Sequence, residues 1–220
     1  MKKVVFLLKF GKKKHIENLY EKGTIFCNTI SFFRNFEKND FIGDKFEGTT
    51  SIKNSKKEVD YKLTLDYKSD KPIELNLSNW KMRSFYENPK GNLFCLYSIN
   101  LDDINQNQQF FIDLKMFSND NDYCLFINKP SDFLKRIKNQ LDIKGIKFKF
   151  DLVKYHDFSK DKSNLTLFHK SIKYNYQKEF RLFLATENIE DSFIFNIGDL
   201  SDIASIHKSE NLKNIKIDFI

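Results

Sequence analysis

The chain has 220 residues, a formal net charge of +7 from 37 Lys and Arg against 30 Asp and Glu, and 40% hydrophobic and 15% aromatic residues, 24 of them Phe. This length fits a single globular domain over residues 1–220 with a core that needs no staples, and the apolar and aromatic content excludes intrinsic disorder. The positive charge is carried by Lys, with Arg only at Arg34, Arg83, Arg136 and Arg181. Sites that read phosphates or bases enrich Arg, so compositional bias is favoured over a dedicated nucleic-acid footprint, and any such binding is expected to be weak and salt-sensitive.

Along the chain, Met1, Lys2 and Lys3 before Val4–Leu8 have the outline of a signal peptide. Lys9 cuts the apolar run short, and no small-residue cleavage site follows. No segment reaches transmembrane length, and a soluble cytoplasmic protein is expected. Residues 4–10 read as a strand buried on both faces. After Lys12, Lys13 and Lys14, a solvated loop rather than a polyanion contact, residues 15–21 read as a helix with Gly23 as its C-cap. Residues 24–28 form a second strand. Ser31 is the expected cap of a short helix that buries Phe32, Phe33 and Phe36.

Residues 40–48 read as a Gly-bounded loop. Asp44 and Glu47 are either a turn whose Asp caps backbone amides or carboxylates lent to a site, and the turn is favoured. Strict alternation from Val59 to Tyr67, repeated at Ile73, Leu75 and Leu77, predicts a half-buried hairpin. Residues 93–99 and 123–127 are apolar strands. Ser131 is the expected N-cap of the clearest helix, which has a stripe of Phe133, Leu134, Ile137 and Leu141 and stops at Gly145. Strands follow at 146–155, 179–185, 193–197 and 215–220. Residues 165–174 are left as a short helix or irregular, and 199–206 as a short helix or turn. Strands outnumber helices, which predicts an α+β domain with mostly antiparallel sheets.

The three cysteines, Cys27, Cys95 and Cys124, lie in or beside apolar runs without metal-ligand spacing, and His15, His156, His169 and His207 add none. Buried free thiols in a reducing compartment are expected. A phosphate-cradling Gly loop, a Gly-x-Ser-x-Gly elbow and a His-Glu-x-x-His pair are all missing, which removes those enzyme classes at motif level.

The densest chemistry is at Gln177, Glu179 and Arg181, just ahead of an apolar run. On a strand, i, i+2 and i+4 share one face. The arrangement reads either as a structural ion pair, worth ~0.2–1 kcal/mol across strands, or as a carboxylate placed to polarise a hydroxyl or stabilise a cation.

Taken together, Leu8-Lys9-Phe10, the helix ending Leu19-Tyr20-Glu21-Lys22-Gly23, the strand Ile25-Phe26-Cys27-Asn28, the run Phe32-Phe33-Arg34-Asn35-Phe36-Glu37, the strand Phe94-Cys95-Leu96-Tyr97-Ser98, and Lys170, Tyr174 and Gln177-Lys178-Glu179-Phe180-Arg181 resemble a widespread uncharacterised bacterial and phage family. Its plan is similar to that of ADP-ribosyltransferases. Those carry Arg or His on an early strand, Ser or Tyr on a middle strand, and Gln/Glu-x-Glu near the end. The resemblance implies an ADP-ribosyltransferase-like fold and transfer of ADP-ribose from NAD to a protein or nucleic-acid target in a toxin or phage-defence setting. Glu179 would stabilise the oxocarbenium, Gln177 would position the acceptor, and Lys9, Ser98, Tyr97 and Arg181 would contact NAD. Lys9 departs from the expected Arg or His. The alternative is a non-catalytic binding or inhibitor protein that engages a nuclease complex, nucleic acid or a nucleotide signal. The third reading is a nucleotide-processing enzyme on the same scaffold.

Overall fold

The computed structural model describes residues 4–35, 43–55, 61–65, 73–87, 89–104, 109–117, 121–187 and 190–216. In chain order the first elements are strand β1 (Val4–Gly11), helix α1 (Lys13–Lys22), β2 (Thr24–Thr29), helix α2 (Ile30–Asn35), β3 (Thr49–Asn54), β4 (Tyr61–Leu65), β5 (Ile73–Leu77) and β6 (Lys81–Phe85). They are followed by β7 (Asn92–Asn100), β8 (Gln109–Phe111), β9 (Tyr123–Ile127), α3 (Pro130–Ile143), β10 (Phe148–Leu152), β11 (Lys154–His156) and β12 (His169–Ser171). A 3-10 turn at Ile172–Gln177 leads into β13 (Glu179–Leu184), and β14 (Phe193–Asn196), β15 (Ala204–Lys208) and β16 (Asn214–Lys216) complete the order. The chain is an α+β domain built mostly of antiparallel strands, and no described helix is long and apolar enough to cross a membrane.

The central sheet runs β10-β13-β7-β1-β9-β15, with every neighbouring pair antiparallel. Strand β2 joins it at β7 and carries β14 on its other side. Because side chains alternate along a strand, the two faces of the sheet have separate cores. One face packs Leu7, Phe94, Leu96, Leu125, Phe180 and Leu182 against α1 and α3. The other packs Leu8, Phe10, Tyr97 and Ile99 under β8 and the 3-10 turn at Leu114–Met116. The middle strands therefore read as apolar runs without alternation.

Several local expectations change in the structure. α3 starts two residues earlier than Ser131 implies, with Lys129 at the N-cap and Pro130 in the first turn, where its missing N–H costs nothing. α2 is capped by Thr29, whose hydroxyl accepts from the Phe32 N–H at 3.1 Å, and it buries Ile30 while Phe32 is exposed. Phe36 lies outside the described residues. The hairpin β4–β5 forms, with Tyr61 paired to Leu77 and Leu65 to Ile73, but Ile73 and Leu75 are exposed, not buried. Its turn at Ser69–Pro72 lies outside the described residues. Residues 146–155 break into β10 and β11 at Val153, whose N–H turns to the Glu179 carbonyl. β3, β6, β12 and β15 carry too few apolar residues in sequence to announce themselves, and β8, Gln-Phe-Phe, is too short to show alternation. Gly23 is required as the cap of α1: its φ is +61°, and a Cβ there would meet the Gly198 carbonyl oxygen at 2.2 Å.

Candidate functional site

Glu179 is the first residue of β13, and the turn before it decides where its carboxylate goes. Lys178 adopts φ +40°, a left-handed conformation that non-Gly residues rarely take. The turn is held from below by Ser98, whose N–H and hydroxyl both donate to the Lys178 carbonyl, at 2.9 and 2.8 Å. The Glu179 N–H donates to the Tyr155 hydroxyl at 2.9 Å. Gln177 belongs to the 3-10 turn, not to the strand, so the i, i+2 argument fails for it. It still reaches the same cluster through Lys170.

The cluster is buried and ionic. The Lys170 ammonium donates to Glu179 Oε1 and, at 2.9 Å, to Gln177 Oε1. The Arg181 Nε donates to Glu179 Oε2 at 2.7 Å. The two terminal nitrogens of Arg181 form a fork on the Glu47 carboxylate at 2.7 and 2.8 Å, and Nη1 also reaches the Leu167 carbonyl. Arg181, Glu47, Lys170, Gln177 and Glu179 are all buried, Arg181 at 1% exposure. Bidentate, charge-assisted bonds of this kind are among the stronger ones available to a protein. Two cations face two carboxylates, and Asp44 is a third acid in the group. Burial pushes the Asp44 carboxyl up, toward its neutral form, and one of its oxygens accepts from the Phe46 N–H at 2.9 Å.

The 44–47 loop is thus both the expected Asp-capped turn and a carboxylate donor to this cluster. From the sequence, the turn is favoured over a site role for Asp44 and Glu47, and Lys170 is given no role in the site. The signals were present: two acids in a Gly-bounded loop, and Lys170 among the residues shared with the resembled family.

The other predicted residues sit elsewhere. Facing residues of antiparallel strands point to the same side. Glu179 pairs with Tyr97, and Leu7 with Ser98, while Lys9 pairs with Leu125. Lys9 and Ser98 therefore lie on the sheet face covered by α1 and α3, and Glu179, Arg181 and Tyr97 on the opposite face. Lys9 donates to the Cys95 carbonyl at 2.8 Å and lies over the Phe94 ring, 4.7 Å from its centre. Desolvation lowers its pKa. The expected grouping of Lys9 and Ser98 with Glu179 around one ligand is not what the structure brings together. The physical reason is the strand period: Ser98 is one residue from Tyr97, and one residue reverses the face.

A cleft of about 370 Å³ opens on the Tyr97 side, lined by Tyr97, Phe111, Asp113, Tyr176 and Lys178 among others. Lys178 spans its edge with its ammonium 2.9 Å from Asp103, and Lys115 lies over the Tyr176 ring. Another hollow, about 560 Å³, lies at Asp142–Phe148, away from every predicted residue. The three cysteines are free thiols, and no group of three or more His, Cys, Asp or Glu suited to a metal occurs among the described residues.

Burial raises the Glu179 carboxyl, but the Arg181 guanidinium and Lys170 ammonium outweigh it and hold the pKa at about 2, below the ordinary 4.5. The unfolded chain then binds the extra proton first. This contribution is complete above about pH 4.5 and lost as pH falls through about 2. Urea unfolding between pH 5 and pH 2 is expected to show stability falling across that window, by about 3 kcal/mol from this group. Asp44, shifted the other way, works with opposite sign as pH rises through its own raised value. A Glu179→Gln variant whose profile from pH 5 to 2.5 matches that of the wild type would show that Glu179 is not held by its two cations.

Comparison with protein-family models, curated proteins and solved structures found no significant match.

Proposed function

We propose that this chain is a non-catalytic binding protein that keeps an ADP-ribosyltransferase-like plan without the transfer reaction. One observation carries the reading: Glu179 spends both carboxylate oxygens on buried cations, with Lys9 and Ser98 on the far side of the sheet. An oxocarbenium-stabilising carboxylate needs a free oxygen facing a ligand-sized space. Here the carboxylate does the work of a structural counter-ion. Ser98 does the work of a turn clamp.

The second reading is the transferase itself, with NAD as substrate. It is favoured by the order of the strands: β1, β7 and β13, which carry the three counterparts of the motif, are neighbours in one sheet. The cleft beside Tyr97 and Lys178 would then take NAD, with Arg181 and Gln177 behind it. The two readings separate in one experiment. The protein is incubated with labelled NAD and cell extract, and its thermal unfolding is followed with and without NAD. The binding-protein reading expects no label transfer and a melting temperature unmoved by NAD. Label transfer by the wild type, or a rise of several degrees with NAD, would establish the transferase instead.

A further inference from the structure

Only four arginines are present, and the structure divides them sharply. Arg136 pairs with Asp202, and Arg181 with Glu47 and Glu179. Arg34 and Arg83 have no carboxylate partner among the described residues. Arg83 and Phe85 are two apart on β6 and so share a face. The Arg34 guanidinium lies 5.1 Å from the centre of the Phe85 ring, and the Arg83 guanidinium 4.1 Å from that of Phe46. Lys45 and Lys173 lie at 5.1 and 5.9 Å from the same Phe46 ring, and neither pairs with a carboxylate among the described residues.

Three cations within 6 Å of one ring centre repel one another, and the ring offsets only part of that. The two acids of the 44–48 loop are turned away: Glu47 is forked onto Arg181, and Asp44 is buried. Two guanidinium nitrogens are also left without any hydrogen-bond acceptor although they are shielded from solvent, Nη2 of Arg34 and Nε of Arg83. Buried donors are ordinarily paired. Arg34 already donates through Nε to the Glu47 carbonyl at 3.0 Å, but four cations from α2, the 44–48 loop, β6 and the 3-10 turn that meet no carboxylate among the described residues fit a chain of anionic groups better than a single one.

We infer that Arg34, Lys45, Arg83 and Lys173 form a contact surface for the phosphate backbone of a single-stranded polynucleotide. The inference rests on the binding-protein reading above and names its partner and surface. Arginine supplies planar forks for phosphate oxygens, lysine supplies point charges, and rings behind the cations hold them in place without neutralising them.

The test is fluorescence anisotropy with a labelled mixed-sequence 20-mer of single-stranded RNA or DNA and the full chain, at 50 and 200 mM salt. The triple variant Lys45→Gln, Arg83→Gln, Lys173→Gln is compared with Lys22→Gln, Lys135→Gln, Lys144→Gln, three exposed lysines on or beside α1 and α3. The two carry the same net charge. The surface variant is expected to bind about 10-fold or more weakly, with a log–log salt slope shallower by about two, as three lost phosphate contacts require. The control is expected to stay within about threefold of wild type. Equal losses in both variants, or no binding by wild type at 50 mM salt, would overturn the surface. Displacement of the 20-mer by ATP at equal phosphate concentration would overturn the polynucleotide and leave a single phosphate as ligand. If Arg83→Gln fails to fold, the double variant of the exposed Lys45 and Lys173 answers the same question at an unchanged melting temperature. Label transfer from NAD would instead overturn the binding-protein reading, so the two failures are distinguishable.

Discussion

Arg181→Met is expected to remove about 3–5 kcal/mol of folding stability, the range for breaking a buried ion pair from one side. The loss is large because Arg181 serves four acceptors: both oxygens of Glu47, one of Glu179 and the Leu167 carbonyl. Methionine fills most of the space but leaves Glu47 buried with no counter-ion opposite its fork. Lys170 then faces the Glu179 carboxylate alone. Whole domains are stable by about 5–15 kcal/mol, so the variant sits near the edge of folding. Urea unfolding of Arg181→Met, Glu47→Gln and the double variant checks the assignment. The double variant is expected to be more stable than the sum of the single losses allows, because it removes both members of the fork. An Arg181→Met protein within 1 kcal/mol of wild type would show that the cluster is not a structural keystone.

Glu179→Gln is expected to lower stability by about 2–4 kcal/mol, which for a chain of this size moves the melting temperature by roughly 5–15 °C. The swap hardly changes shape. It removes the charge that Lys170 and Arg181 were both placed to meet, and two buried cations then share Glu47. A catalytic carboxylate behaves differently. Active sites hold charges that stability would be better without, so its neutralisation leaves the melting temperature level or raises it while activity disappears. Differential scanning calorimetry of the variant therefore speaks to function as well as to stability. A melting temperature equal to wild type, together with loss of any measured activity, would return Glu179 to a catalytic role.

Much of the sheet was legible because its strands are buried on both faces. Residues 4–11, 92–100 and 123–127 are stretches in which aliphatic and aromatic residues dominate, and no other element accommodates them as easily. The helix at 130–143 declared itself by its stripe and its Gly stop. β3, β6 and β15 were not legible, because each has charged or small polar residues at most positions and takes its strand form from a partner: β6 across from β3, and β15 from β9. Tertiary pairing overrode local propensity there. For the site, spacing correctly put Glu179 and Arg181 on one face. It could not show that Glu47, 134 residues away, would meet Arg181. Nor could it place Ser98, since Tyr97 and Ser98 are adjacent letters on opposite faces, and only register tells which one meets Glu179.

The position of β13 between β7 and β10 has a consequence for how the chain is made. As synthesis proceeds from the N-terminus, β1, β7 and β9 are complete well before residue 179 emerges. Until then β7 has β1 and the end of β2 along one edge and an open row of backbone donors and acceptors along the other. Such an apolar, unpaired edge is a template for any extended segment nearby. Glu47 waits equally long for its guanidinium. Nascent chains halted between residues 130 and 178 are therefore the species most dependent on chaperones, and release of β13 from the ribosome is the event that closes the edge and neutralises the buried acid together.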